Sequence, residues 1–215
     1  MKRLTAAQRR ELAQTYRRRA ESLQAVDRGV AAIYHELEDE GLLGNTYIFF
    51  LSDNGFLLGE HRIDHGKVLP YEESVRVPLA VTGPGVPRNE TSRQLAANVD
   101  LAATFADIAR ATPQMTQDGM SLLPAFYGHV DRGREILLES FIDKRDMPSF
   151  EAVRTHRWTL VDYRGAGREL YDNRRDPHQL RNPYRSRTRD SDGAVVRRLQ
   201  SVLRRLEDCS GESCR

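Results

Sequence analysis

The chemically densest stretch of this sequence runs from Ser52 to Ser74. It contains Ser52-Asp53-Asn54-Gly55, Gly59-Glu60-His61-Arg62, His65-Gly66-Lys67 and Tyr71-Glu72-Glu73-Ser74. Asp53 and Asn54 place a carboxylate beside an amide oxygen, the donors that hard cations such as Ca2+ and Mg2+ take. The same Asp-Asn-Gly run is also good turn chemistry, because Asp and Asn side chains bond nearby backbone. Lys67 is one of only three lysines, with Lys2 and Lys144, among 33 basic residues. A lysine ammonium is a compact charge with rotatable donors, suited to an anionic oxygen. The alternative is an ordinary surface lysine. His61 and His65 flank the same loop, and each suits acid–base chemistry or anion binding. Two such histidines also resemble half of a transition-metal site, but no third ligand accompanies them, so neither zinc nor iron is expected. His65 receives no role. Asn89-Glu90-Thr91 is a glycosylation sequon, read as chance without a secretory context.

The elements that must position these residues follow from pattern. Residues 6–40 read as one long helix, because Leu23, Val26, Val30, Ile33 and Leu37 recur at three- and four-residue steps. Gly41 and Gly44 end it. Thr46 to Leu51 is a continuous β-branched and aromatic run, the mark of a strand buried on both faces. Asp53 and Asn54 therefore stand at the carboxyl end of a strand, where α/β folds gather their chemistry. A second strand is expected at Leu79 to Thr82, cut off by Gly83-Pro84-Gly85. A helix over 99–110 follows, with Asn98 or Asp100 as its cap and Leu101, Phe105 and Ile108 inward. Further on, 134–140 reads as a strand and 151–163 as a β-segment or hairpin strand around Trp158. Residues 172–189 read as loop, and 194–207 as an amphipathic helix.

The chain has 215 residues, 39% hydrophobic and 30% charged, which permits a buried core. Its 33 basic residues are balanced by 31 acidic ones. This interspersed balance argues against nucleic-acid binding, and Arg17-Arg18-Arg19 reads as a solvated helix face. No apolar stretch is long enough for a membrane span, and no apolar signal core follows Met1. The compartment is left unassigned, with the cytoplasm expected if Met1 is the true start. Cys209 and Cys214 either close a small loop or stay free; their spacing is not that of a zinc site.

In order, these motifs resemble the type I sulfatases of the alkaline phosphatase superfamily. The likeness starts at Glu38 to Thr46 and runs through Ser52-Asp53-Asn54-Gly55 and Gly59-Glu60-His61. Lys67 and Tyr71-Glu72-Glu73-Ser74-Val75-Arg76-Val77-Pro78-Leu79 continue it. It extends through Gly83-Pro84-Gly85 and Val99 to Ala109. Arg157-Trp158-Thr159-Leu160, Glu169-Leu170-Tyr171-Asp172 and Asp176-Pro177 then match the family's C-terminal signature. The resemblance implies an α/β fold with a mixed, largely parallel sheet between helices and a small α+β C-terminal part. Residues 1–130 would be the later part of the catalytic domain, 131–215 the C-terminal subdomain and terminal helix, and the N-terminal half of the fold is missing.

The resemblance also implies sulfuric ester hydrolysis. Asp53 and Asn54 match two metal ligands, usually for Ca2+, with Mg2+ as the other candidate. Lys67 matches a lysine that contacts sulfate oxygens, and His61 lies in a motif of one subgroup. In the family the nucleophile is a formylglycine made in a Cys/Ser-x-Pro-x-Arg motif, and no such motif occurs here. The chain alone is therefore expected to hold part of a metal site and no nucleophile. One alternative is a phosphonate or phosphate ester hydrolase, whose members often carry Asp-His-Gly where this chain has Asp53-Asn54-Gly55. Another is a non-catalytic remnant that needs a partner chain. Beyond a sulfate ester, the partners expected are a missing N-terminal segment or a second copy of the chain, because unpaired strand edges favour association.

Overall fold

The computed structural model describes residues 3–141, 148–184 and 191–215. The chain forms two compact units: Met1–Lys67 with Glu73–Arg88, and Val68–Glu72 with Asn89–Arg215.

In the first unit, helix α1 spans Ala6–Asp39. It starts with a capping box: the Thr5 hydroxyl accepts from the Gln8 amide, and the Gln8 side chain accepts from the Thr5 amide. Gly41, at φ 70°, follows its end. The expected apolar stripe exists but is uncovered along most of its length. Leu12 is buried, whereas Leu23 and Ile33 are about 60% exposed. Strand β1 (Ile48–Leu51) pairs antiparallel with β2 (Leu79–Thr82), with Leu51 opposite Leu79.

Two features of this pair differ from expectation. First, β1 is not buried on both faces, since Phe50 is 41% exposed. A continuous apolar run shows that both faces need covering, and a pair of strands alone does not supply the cover. Second, the strand pairings among the described residues are antiparallel. Parallel neighbours need a crossover, usually a full helix. The β1–β2 connection carries a single 3-10 turn (Glu60–Arg62) and the one-turn helix α2 (Glu72–Val75) but no full helix, and the chain reverses direction. The α/β class stands, with helices and sheets mixed along the chain.

The second unit is built on a meander of β3 (Glu135–Ser140), β4 (Phe150–Thr155), β5 (Trp158–Tyr163) and β6 (Gly167–Asp172), in that spatial order. Residues 150–163 form a hairpin, and β6 occupies a stretch to which the sequence reading gave no element, ending on Asp172, the first residue of the expected loop. The rest of that loop is irregular as far as Tyr184, and 185–189 lie outside the described residues. Alternation gives the sheet two apolar faces. Val153, Leu160 and Leu170 pack with Leu199, Leu203 and Leu206 of helix α5 (Ser191–Glu207). On the opposite face, Phe150, Ala152, Val161 and Tyr163 form a second cluster.

Helices α3 (Asp100–Ile108) and α4 (Leu123–Phe126) precede the sheet. The buried positions of α3 are Asp100 and Thr104, while Phe105, expected inward, is 48% exposed. The Asp100 carboxylate accepts from the Ala97 and Met120 amides and pairs with Arg134 at 2.7 Å. Cys209 and Cys214 are joined in a disulfide, which settles the choice left open by their spacing. Within the loop it closes, the Gly211 amide donates to Asp118. Among the described residues, no helix is long and apolar enough to cross a membrane.

Candidate functional site

Asp53 and Asn54 stand just past the end of β1, as the sequence placed them. The turn is self-bonded: Asp53 Oδ1 accepts the Asn54 amide at 2.8 Å, and the Ser52 hydroxyl donates to the Asn54 carbonyl. These bonds are the turn chemistry that Asp-Asn-Gly offers, and a turn of this kind can also present oxygens. Gly55 is required by close approach. Its amide donates to the Ser74 carbonyl, and a Cβ at this position would lie 2.1 Å from the Glu73 carbonyl oxygen.

The chain then loops out and returns. Leu57 and Gly66 exchange two backbone hydrogen bonds, at 2.7 and 3.2 Å, and Leu57 is fully buried beneath them. This closure brings Lys67 back to the turn, where its Nζ donates to Asn54 Oδ1 at 2.7 Å. α1 supports the loop from outside. The Arg19 guanidinium lies over the Phe56 ring at 4.2 Å, and the Leu12 side chain closes on Gly59.

His61 sits at the tip of this loop in a left-handed turn, with φ 107° at Gly59, 54° at His61 and 60° at Arg62. Left-handed backbone at non-glycine residues costs energy and persists only where surroundings enforce it. His61 Nε2 lies 3.4 Å from Glu73 Oε2, with side-chain exposures of 10% and 20%. Glu73 therefore touches two parts of the candidate site: its carbonyl backs Gly55 and its carboxylate faces His61. The sequence reading singled out His61 and left Glu73 as a motif residue. His65, left unassigned, is exposed beside Asp64.

The segment after Lys67 has its own anchorage, in the second unit. Arg154, Tyr163, Glu169 and Tyr171 share the sheet face opposite α5. Tyr71 and Tyr163 both donate to Glu169 Oε2, at 3.4 and 3.1 Å. Arg154 pairs with Glu72 at 2.7 Å, and the buried Gln179 side chain accepts the Glu72 amide at 2.8 Å. Burial, followed by the negative charge of Glu169, raises the Tyr71 and Tyr171 hydroxyls above the usual tyrosine range. For Tyr163, burial is again the largest cause of an upward shift. All three remain protonated donors. Their folded values exceed the unfolded one, so stability is full below the ordinary value of 10.0 and falls as pH rises beyond it. Each adds up to about 1.4 kcal/mol per pH unit to that fall. A tyrosinate absorbance titration should therefore show three of the eight tyrosines ionising only as the fold is lost. Ionisation of all eight before any loss of far-UV dichroism would contradict this burial.

The donor set at Asp53-Asn54 suits an oxygen-seeking cation, which takes carboxylate and amide oxygens. The Lys67 ammonium already lies against one of those oxygens, evidence that Asn54 Oδ1 accepts positive charge. Two side chains supply only part of the six to eight oxygens Ca2+ needs. Among the described residues, no group of three or more His, Cys, Asp and Glu could hold a metal.

The family model described as Sulfatase matches residues 2–111, and the one described as N-sulphoglucosamine sulphohydrolase, C-terminal, matches 59–208. The N-acetylglucosamine-6-sulfatase of Bos taurus is 34% identical over 93% of this chain and 41% of its own length. Among solved structures, that of BT4656 in complex with its substrate D-Glucosamine-2-N, 6-O-disulfate superposes with TM-score 0.74 and 27% identity. The match covers 85% of this chain and 38% of that one. The phosphonate monoester hydrolase of Agrobacterium radiobacter gives TM-score 0.68 and 25% identity, over 86% of this chain and 40% of that one. The chain thus spans about two fifths of the length of the relatives it matches. With two family models that together run from residue 2 to 208, the chain belongs to the sulfatase family, of which it carries the C-terminal portion.

Proposed function

We propose that this chain supplies one side of a sulfuric ester hydrolase site. The observation that carries the reading is the Lys67–Asn54 contact, which joins a cation and a candidate ligand pair across thirteen residues of loop. In this reading Asp53 and Asn54 hold a divalent cation, Ca2+ by the hardness of their oxygens. When bound, the cation supplies positive charge that offsets the charge developing on the sulfuryl oxygens. Lys67 donates to a sulfate oxygen and orients the ester. His61, backed by Glu73, is the candidate group to hold or pass a proton as the ester bond breaks. The nucleophile is contributed by sequence outside this chain, so activity belongs to the two together.

Glucosamine-type sulfates are the proposed substrates. Support comes from the names of a family model, a relative and a solved neighbour, all of which refer to glucosamine. The phosphonate monoester hydrolase likeness favours a second reading, a phosphonate ester substrate. The deciding experiment expresses this chain in one polypeptide with the nucleophile-bearing segment of a sulfatase. Turnover of glucosamine 6-sulfate and of an aryl sulfate is then compared with that of a phosphonate monoester. The expected result is a higher kcat/KM for the sulfates. Faster phosphonate turnover would overturn the assignment.

A further inference from the structure

Cys209 and Cys214 are the only cysteines in the chain, and their disulfide spans a sequence separation of five. Loop-closure stabilisation grows with loop length, so a link this short gains least by restraining the unfolded chain. Its effect lies in the shape of the loop it closes. That loop is a 3-10 turn over Gly211–Cys214, entered through a second capping box. The Ser210 amide donates to the Ser213 hydroxyl, and Gly211 takes φ 61°. Ser210, Glu212 and Ser213 are exposed and the two cysteines half-buried, so the disulfide lies near the surface.

The closed loop is bonded on several sides. The Gly211 amide donates to Asp118 Oδ1 at 2.7 Å, and the Cys214 carbonyl accepts from Arg134 Nη1 at 3.4 Å. The Ser213 carbonyl accepts from Arg205 of α5 at 2.6 Å. Just past the link, the Arg215 guanidinium donates to the Gln117 carbonyl at 3.0 Å. Gln117 and Asp118 are thus held by residues on either side of Cys214.

The segment they begin covers the start of α3. Gly119 packs so closely there that a Cβ would lie 2.1 Å from the Val99 carbonyl oxygen. The Met120 amide donates to Asp100, and the Leu122 amide to Thr104. Arg134 Nη2 pairs with the same Asp100. Among the described residues Arg134 Nε has no hydrogen-bond partner, so this buried guanidinium depends on Asp100 and the Cys214 carbonyl. Every residue in these contacts belongs to the second unit.

We propose that the Cys209–Cys214 disulfide is a redox-sensitive clasp. Closed, it keeps the C-terminal loop on Gln117 and Asp118 and thereby steadies the start of α3. A dithiol opens it. One thiolate of the reagent attacks a sulfur and releases the first cysteine; the second thiolate then closes on the mixed disulfide and releases the other. Two electrons and two protons pass from the reagent to the chain, which gains two thiols while the reagent becomes a cyclic disulfide. Cys209 packs against the cluster beneath α5, so the Cys214 end is the one let go. The sheet and α5 keep their packing, because their apolar clusters do not depend on the link.

Amide hydrogen exchange on the whole chain, with and without dithiothreitol, tests this. On reduction the Gly211 and Met120 amides should exchange roughly tenfold faster or more, the change expected on losing a hydrogen bond to a charged group. The paired amides of β4 and β5 should keep their protection, and reoxidation should restore slow exchange at Gly211 and Met120. Cys209→Ser with Cys214→Ser should behave as the reduced chain, whatever the reagent. Reduction needs no substitution, so the test stands even where that variant fails to fold. Unchanged exchange at Gly211 and Met120, with both thiols shown free by alkylation, overturns the proposal. So does loss of protection across β4 and β5, which would make the disulfide a brace of the whole unit. A disulfide that dithiothreitol leaves intact in the folded chain overturns it as well.

Discussion

Asp100→Ala should lower the stability of the chain by about 3–5 kcal/mol, the cost of stranding a buried charge. Asp100 and Arg134 have side-chain exposures of 0% and 2%. The carboxylate answers three donors: the Ala97 amide, the Met120 amide and the Arg134 guanidinium. Alanine removes the acceptor that all three donors share and leaves the guanidinium inside without its counter-charge. Arg134 also reaches the Cys214 carbonyl, so the disturbance spreads from α3 and the start of β3 to the C-terminal loop. Chemical denaturation followed by the fluorescence of the single tryptophan, Trp158, measures the change. The midpoint should fall with little change in slope. Asp162→Ala, which breaks a partly exposed pair with Arg168, should cost no more than about 1 kcal/mol. Replacing Asp100 and Arg134 together by leucine and methionine should recover much of the loss, because two apolar groups strand no charge. A loss below about 1 kcal/mol for Asp100→Ala would mean that water reaches this pair.

That pair marks the limit of what the sequence discloses. Periodic elements were legible: α1, β2 and α5 lie where the apolar pattern puts them, because periodicity is a local property. Which face of an element is covered is not local. Asp100 was read as one of two possible caps, yet its burial depends on an arginine thirty-four residues away. Phe105 was read as inward and lies exposed. The continuous run of β1 announced two faces in need of cover without saying what covers them. At the candidate site, residue types named Asp53, Asn54, Lys67 and His61. Their approach depends on the Leu57–Gly66 closure and on Glu73 against Gly55, neither of which has a spacing signature. Arg154 and Gln179 had no signal at all. Glu169 and Tyr171 had one, as motif residues, but nothing in the motif says what they hold.

Asp53→Ala and Lys67→Ala, placed in a polypeptide that also carries the nucleophile, should have opposite effects on cation binding. Asp53 is the charged member of the ligand pair. Its loss should weaken Ca2+ affinity by on the order of a hundredfold, since affinity follows the charge count of the ligands. Activity should fall in step and return in part at high Ca2+. Lys67 sets its ammonium 2.7 Å from Asn54 Oδ1, on an oxygen the cation would use. Like charges at such distances repel, so Lys67→Ala should leave Ca2+ affinity unchanged or raise it. Turnover should nevertheless drop by roughly a hundred- to a thousandfold, the usual cost of losing one donor to developing oxyanion charge. Lys67→Arg should recover little, because a planar guanidinium does not reproduce a point charge in a loop closed at Gly66. Calcium titration by calorimetry alongside kcat/KM separates the two roles. Unchanged Ca2+ affinity in Asp53→Ala would remove that residue from the metal site. Weakened affinity in Lys67→Ala would mean that the lysine braces the ligand turn, and the 2.7 Å contact would then belong to the architecture of the loop and not to its chemistry.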